Sequence, residues 1–222
     1  MNRNFNHAFK ALLMIIGCVL LAPGLRAQLS GTKNIPADYA SIAAFVTDLN
    51  TQGVGAGGVT LTVPSGYTET APAGGFAITA TGTLANPIII QGTAGTTPVI
   101  TASAALTAGA LNDALFKIIG GDYITISGLE LRENAANTTT TAASNNMTEW
   151  GIALLYATTT DGAQNVTLSG NTIVLNRTYQ NTFGIYANST HAAGSPTTSA
   201  TATGTTGGTS GLKIYSNAIT NV

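Results

Sequence analysis

Tyr123-Ile-Thr-Ile-Ser-Gly-Leu-Glu-Leu131, Asn165-Val-Thr-Leu-Ser-Gly-Asn-Thr-Ile173 and Gly211-Leu-Lys-Ile-Tyr-Ser-Asn-Ala-Ile219 are three writings of one motif. Each alternates apolar and polar residues, kinks, and starts a second alternating run. Placed one above another, they form apolar columns: Ile124, Val166 and Leu212; Ile126, Leu168 and Ile214; Leu131, Ile173 and Ile219. The intervening column holds Thr125, Thr167 and Lys213. Alternation of period 2 describes a strand with one buried face. Its recurrence at a long interval describes strands stacked circuit upon circuit, each circuit burying its apolar face against its neighbours.

The kinks have a local cause. Gly128 and Gly170 give the backbone freedom to turn, and Asn171 and Asn217 share the next column. Asn tolerates left-handed backbone. At the ~4.8 Å spacing of stacked strands, Asn side chains can bond to one another as a ladder. Leu129 interrupts that column in the first repeat. Gly151-Ile-Ala-Leu154 and Gly184-Ile-Tyr186 supply a third strand to each circuit. Insertions lengthen the circuits. The polar Asn137-Thr-Thr-Thr-Thr-Ala-Ala-Ser-Asn-Asn146 stretch and the Ser/Thr/Ala/Gly stretch from Ser189 to Gly208 bury too little apolar surface to offset ordering, so both are expected as mobile loops.

Upstream, Asp38 precedes Tyr39, Ile42, Phe45, Val46 and Leu49, the spacing of one amphipathic helix with Asp38 as N-cap and Gly53 just past its end. The string Ile35-Pro-Ala-Asp-Tyr-Ala-Ser-Ile-Ala-Ala-Phe45 resembles the opening of pectinesterase-like and other right-handed parallel β-helix proteins. Pro87-Ile-Ile-Ile-Gln-Gly-Thr-Ala-Gly-Thr-Thr-Pro-Val-Ile100 resembles the first coils of chondroitinase- and alginate-lyase-like β-helices. The span from about residue 32 to 222 is similar to the N-terminal part of large bacterial surface proteins exported by type IX secretion. The resemblance implies an all-β fold: a right-handed parallel β-helix of the pectate-lyase-like kind over residues 59–222. Residues 28–58 would form a polar lead-in and an N-terminal amphipathic capping helix.

Residues 1–27 read as a secretory signal peptide. Arg3 and Lys10 precede an apolar run from Ala11 to Leu21, and Ala27 stands before the cut. Ile15-Ile-Gly-Cys18 also resembles a lipobox with Cys18 as lipid acceptor, although the apolar run continues past Cys18. No later segment offers the ~18 apolar residues of a membrane span. Removing Arg3, Lys10 and Arg26 from eight basic residues leaves five against nine acidic ones, a net charge of −4. Without a basic patch, nucleic acid is excluded as a partner. Cys18 is the single cysteine, so disulfides and thiolate metal sites are excluded once the leader is gone. The last repeat stops two residues after its second strand begins, so further chain is expected beyond Val222.

Lyases of this fold need a basic residue and carboxylates, often with Ca²⁺, and act on acidic polysaccharides. The candidates are Lys117, Arg132, Arg177 and Lys213 as bases, and Asp113, Asp122, Glu130, Glu133, Glu149 and Asp161 as acids. Arg132 and Glu133 adjoin a loop after a strand and are the catalytic candidates, but Val174 and Leu175 replace them one circuit on, which favours a solvated ion pair. No His/Asp/Glu spacing suggests a metal site, and His191 sits in a Ser/Thr/Ala stretch. Trp150, Tyr156 and Tyr186 are the candidates for stacking against sugar rings. The expected function is a non-enzymatic exported or cell-surface module, adhesin-like or binding a polysaccharide or surface glycan. The alternative is a polysaccharide lyase. A groove lined by Thr, Asn and Tyr favours the binder, and a charge-lined groove favours the enzyme.

Overall fold

The computed structural model describes residues 27–192 and 204–222, and side chains other than those of 188–192. The leader with Cys18, the His191 side chain and most of the Ser189–Gly208 stretch lie outside the described residues. The chain starts with β1 (Leu29–Asn34) and helix α1 (Ile42–Gln52). A first circuit follows: β2 (Val54–Val63), β3 (Thr68–Thr70) and β4 (Phe76–Ile78). A second comprises β5 (Ile88–Gly92), β6 (Val99–Thr101) and β7 (Ala114–Ile119). A third comprises β8 (Ile124–Ser127), β9 (Glu130–Arg132) and β10 (Trp150–Tyr156). A fourth comprises β11 (Thr167–Ser169), β12 (Thr172–Val174) and β13 (Phe183–Ala192), before β14 (Lys213–Tyr215) and β15 (Ala218–Thr220).

From β2 onward, successive strands go to three different sheets in rotation, and all the pairings between the strands are parallel. The first sheet runs β1-β2-β5-β8-β11-β14, the second β3-β6-β9-β12-β15, and the third β4-β7-β10-β13. The registers are those of the sequence columns. Leu61, Ile90, Ile126, Leu168 and Ile214 are in line in the first sheet. Ile100, Leu131, Ile173 and Ile219 are in line in the second. Each is fully buried until the last circuit, where Ile214 is 47% and Ile219 39% exposed. The third sheet adds Phe76, Phe116, Ile152 and Ile185 to the core. Fully burying such a side chain stabilises by about 1.5–3 kcal/mol, so the columns are where the stability of the fold resides.

The turn from the first sheet to the second uses left-handed backbone in three successive circuits: Gly128 at φ 67°, Gly170 at 63° and Ser216 at 55°. Beside it, Asn171 is 1% exposed and fills the turn with hydrogen bonds. Its Nδ2 donates to the Ile126 carbonyl at 2.9 Å, and its Oδ1 accepts from the Leu129 N–H at 3.2 Å.

Two expectations about the N-terminal part change. Ser41, not Asp38, caps α1. Its backbone is extended (φ −159°, ψ 165°) and its Oγ accepts from the Ala44 N–H at 3.1 Å. Asp38 instead closes the preceding turn by accepting from the Asn34 N–H at 2.8 Å. Tyr39 thus precedes the helix, with its ring edge-on to Phe45. The polar lead-in also contains a strand: β1 pairs along β2, because the backbone of an edge strand bonds whatever its side chains are. Gly53, at φ 71°, ends the helix and donates to the Leu49 carbonyl.

The helix buries Ile42, Phe45, Val46 and Leu49. Glu69 secures its N-terminus. Glu69 occupies the column position that Ile100 takes one circuit later. Its carboxylate accepts from the Ile42 N–H at 2.8 Å and the Ala43 N–H at 3.1 Å, where the helix dipole favours a negative charge. Near the other end, Asn50 donates to the Ala77 carbonyl and accepts from the Thr79 and Ala80 N–H groups. An acid thus stands in an apolar column because its partner is a helix end rather than a strand.

Candidate functional site

Each circuit from the third onward enters the first sheet through a left-handed residue: Tyr123 at φ 50°, Asn165 at 53° and Gly211 at 71°. A Cβ at Gly211 would lie 2.4 Å from the Asn165 Oδ1, so this column has little room. Two residues on, Thr125, Thr167 and Lys213 register with one another on the outward face. These two columns line an open groove of about 330 Å³, with Leu84 and Pro87 at one side. Leu84 is 83% exposed. The groove contains hydroxyls, an amide, a phenol and apolar surface. Lys213 is its one charged residue. Such a lining can hydrogen-bond neutral hydroxyl groups and pack against apolar ring faces, but offers no carboxylate for acid–base work.

Arg132 and Glu133 do not work together. Side chains alternate along a strand, which puts Arg132 on the same face as Glu130, and its Nε pairs with that carboxylate. The Arg132 side chain is 51% exposed, so the pair is worth ~0–1 kcal/mol. Glu133 is engaged elsewhere. It accepts from the Asn134 N–H, the Asn137 Nδ2, and both the N–H and the hydroxyl of Thr148, all at 2.8–2.9 Å. It thereby pins both ends of the polar 137–146 stretch, where Asn137 and Asn145 are buried. That stretch was expected to be too polar for order, and the carboxylate provides what apolar burial does not. A shallower groove of about 250 Å³ lies here, lined by Glu133, Asn134, Asn137, Leu175 and Asn176 among others.

Trp150 is in β10, 2% exposed, with its indole stacked on the Tyr186 ring at 4.6 Å and 8°. Tyr156 is 5% exposed at the end of the same strand. Tyr186 is half-buried, and Phe183, 45% exposed, stands 5.8 Å from it. Of the aromatic candidates, Tyr186 presents surface to a ligand, together with Phe183, which the sequence reading overlooked. Trp150, Ala114, Ala153 and Leu155 form a small buried cluster apart from the main core.

Beside that cluster the structure gathers three ionisable residues that sequence singled out separately. Asp113 precedes β7, Lys117 lies within it, and Glu149 precedes β10; all three are buried. Glu149 Oε2 accepts from the Asp113 N–H at 2.9 Å. Asp113 Oδ2 and Glu149 Oε1 are buried without hydrogen-bond partners. Burial pushes the Asp113 carboxyl up to about 6, opposed by the Lys117 charge. Burial likewise pushes Glu149 up to about 8, opposed by the Asp113 N–H, and pushes Lys117 down. Neither groove reaches these groups. Asp122 accepts from the Gln164 N–H at 2.8 Å and serves the turn before the first sheet. Arg177 and Asp161 are exposed.

Among the described residues, no three His, Cys, Asp or Glu side chains converge to hold a metal ion, and no helix is long and apolar enough to cross a membrane. Comparison with protein-family models, curated proteins and solved structures finds no match to this chain.

Proposed function

We propose that this chain is a right-handed parallel β-helix whose α1 caps the first circuit. In this reading it is an exported bacterial surface module that binds glycans without transforming them, along the outward groove of the first sheet. The observation that carries the reading is the lining of that groove: Tyr123, Thr125, Asn165 and Thr167 on consecutive strands, with no acidic residue. Hydroxyls repeated at the ~4.8 Å strand spacing suit a ligand that is itself a repeating polymer of hydroxylated rings. The cap is supported by Glu69 and Asn50, which bind the two ends of α1 to the first circuit. Export is supported by the leader-like sequence of residues 1–27 and by a fold whose stability needs no cysteine.

A lyase of this fold needs a base and carboxylates in one open groove, with carboxylates converging where Ca²⁺ is used. The described residues do not fit that requirement: the two carboxylates that meet, Asp113 and Glu149, are buried beside Lys117.

The test is binding of the secreted protein to a panel of neutral and acidic polysaccharides by calorimetry. Tyr123→Ala and the double variant Thr125→Val, Thr167→Val should weaken the binding seen, while Arg132→Ala should leave it unchanged. No binding to any polysaccharide, or binding indifferent to the groove variants, would overturn the proposal.

A further inference from the structure

We propose that Glu149 is a pH-operated latch across the starts of β7, β10 and β13, closed while its carboxyl holds a proton and released when that carboxyl ionises. The proposal is independent of glycan binding. Three connections meet at this residue. Its side chain accepts from the Asp113 N–H, its N–H donates to the Asp113 carbonyl at 3.1 Å, and its carbonyl accepts from the Phe183 N–H at 2.7 Å. Asp113 leads into β7, Glu149 into β10, and Phe183 opens β13. One residue therefore joins three consecutive circuits at one corner, its side chain holding the start of β7 and its backbone carbonyl the start of β13.

The surroundings suit a neutral carboxyl better than a charged one. Glu149 is 1% exposed, its Oε1 has no well-formed hydrogen bond, and the Tyr179 hydroxyl is the one side-chain donor acting on the carboxyl, too little to offset its burial. A buried carboxylate needs a counter-charge or several donors, and otherwise stays protonated or leaves. The groups acting on this corner are Lys117 from β7, Asp113 before it, Glu133 after β9, and Tyr179 between β12 and β13. Lys117 is the single cation among them. It offsets one acid, and Asp113, pushed up less than Glu149, ionises first. The charge that arrives later, on Glu149, meets the charge already on Asp113. Glu133 keeps its four donors on Asn134, Asn137 and Thr148 throughout, so the neighbouring loop stays in place and the opening is confined to the corner.

The protein carries its own reporter. Trp150 is its single tryptophan, follows Glu149 directly, and is buried against Tyr186. Ionised Glu149 turning outward admits water beside the indole. Tryptophan emission of the secreted protein, titrated from pH 5 to 9, should move reversibly to longer wavelength with a midpoint near 8 while the far-ultraviolet β signal is retained. Glu149→Gln keeps the shape and the acceptor for Asp113 but cannot ionise. It should hold the low-pH emission throughout. Independently of any variant, hydrogen exchange of the wild-type Asp113 and Phe183 amides should accelerate over this range relative to first-sheet amides, after correction for intrinsic exchange. Flat emission with both amides protected, the same transition in Glu149→Gln, or loss of the β signal together with the emission change would each overturn the latch.

Discussion

Asn217 Oδ1 accepts from the Nδ2 of Asn171 at 3.0 Å, across 46 residues of sequence and one circuit of the stack. The same oxygen accepts from the Asn171 backbone N–H, and Asn217 Nδ2 donates to the Leu168 carbonyl. Asn171 repeats that last contact one circuit earlier, on the carbonyl of Ile126. The side chains thus bond strands that a left-handed turn has pulled out of the backbone ladder. Asn171→Ala would strand the Ile126 carbonyl and the Leu129 N–H in a buried turn. It should destabilise by about 2–4 kcal/mol, since each unsatisfied buried group costs about 1–3. Asn217→Ala, at a half-buried site, should cost less. Urea melts of the two variants check this; equal midpoints would contradict it.

This ladder shows which parts of the fold can be read from sequence. The columns through Ile126, Leu168 and Ile214 are legible because strand alternation is strict and the kink residues recur at matching positions. Unequal insertions hide the rest. Asp113 and Glu149 are 36 residues apart, on circuits whose lengths differ, so no fixed period aligns them. Glu69 reads as a misfit in an apolar column until the helix end it holds is visible. The pairing of Arg132 with Glu130 rather than Glu133 was available from alternation alone. Burial of Trp150 was not, because it depends on Tyr186 from the next circuit.

The inward and outward faces of one strand should differ sharply. Leu168 is fully buried between Ile126 and Ile214, and Thr167 faces the groove. Leu168→Ala should destabilise by about 2–5 kcal/mol, and Thr167→Ala by no more than about 0.5 kcal/mol. Thermal melts of the pair measure the difference; similar shifts would reverse the facing assigned to β11.

Glycine takes the second position of β10 and of β13 for a packing reason. A Cβ on Gly151 would lie 2.4 Å from the Gly184 carbonyl oxygen and 2.7 Å from Ile173 Cγ2. A Cβ on Gly184 would meet Ile219 Cγ2 at 2.4 Å. The second sheet's core side chains occupy the space that Cβ atoms would need. Gly151→Ala should cost about 1–3 kcal/mol through overpacking. Ile173→Val, which removes Cδ1 and leaves Cγ2 in place, should recover none of the loss in a double-mutant cycle, because the close contacts are with Cγ2 and the Gly184 carbonyl.

Stability should depend on pH with a definite sign. Asp113 and Glu149 have folded values raised above their ordinary ones, so the folded state binds more protons than the unfolded chain. The stability these two carboxyls contribute is fully present below about pH 4 and is lost as pH rises, through about 6 for Asp113 and about 8 for Glu149. Lys117, pushed down by burial, works the other way, adding stability as pH approaches the ordinary lysine range. Denaturant midpoints at pH 5 and pH 8 should therefore rank pH 5 higher. Glu149→Gln should flatten the upper part of that slope, and a slope unaltered by it would assign the pH dependence to other groups.

Eliminative cleavage is the remaining activity to test. It requires a base at the sugar carbon that loses a proton, and stabilisation of the neighbouring carboxylate as charge develops. The cations of the described chain are dispersed. Lys213 stands alone in the first-sheet groove, Arg132 is paired to Glu130 on the outside of the second sheet, and Lys117 is buried in the third sheet near Asp113 and Glu149. Pectate, alginate and chondroitin should therefore give no rise in ultraviolet absorbance from unsaturated products, with or without Ca²⁺. Product that depends on calcium and disappears in Arg132→Ala would establish a lyase. Product that disappears in Lys213→Ala would place the chemistry in the first-sheet groove. With neither, any binding to that groove rests on hydroxyl, amide and ring contacts. It should then persist from low to high salt, because screening weakens exposed charge pairs and leaves those contacts in place.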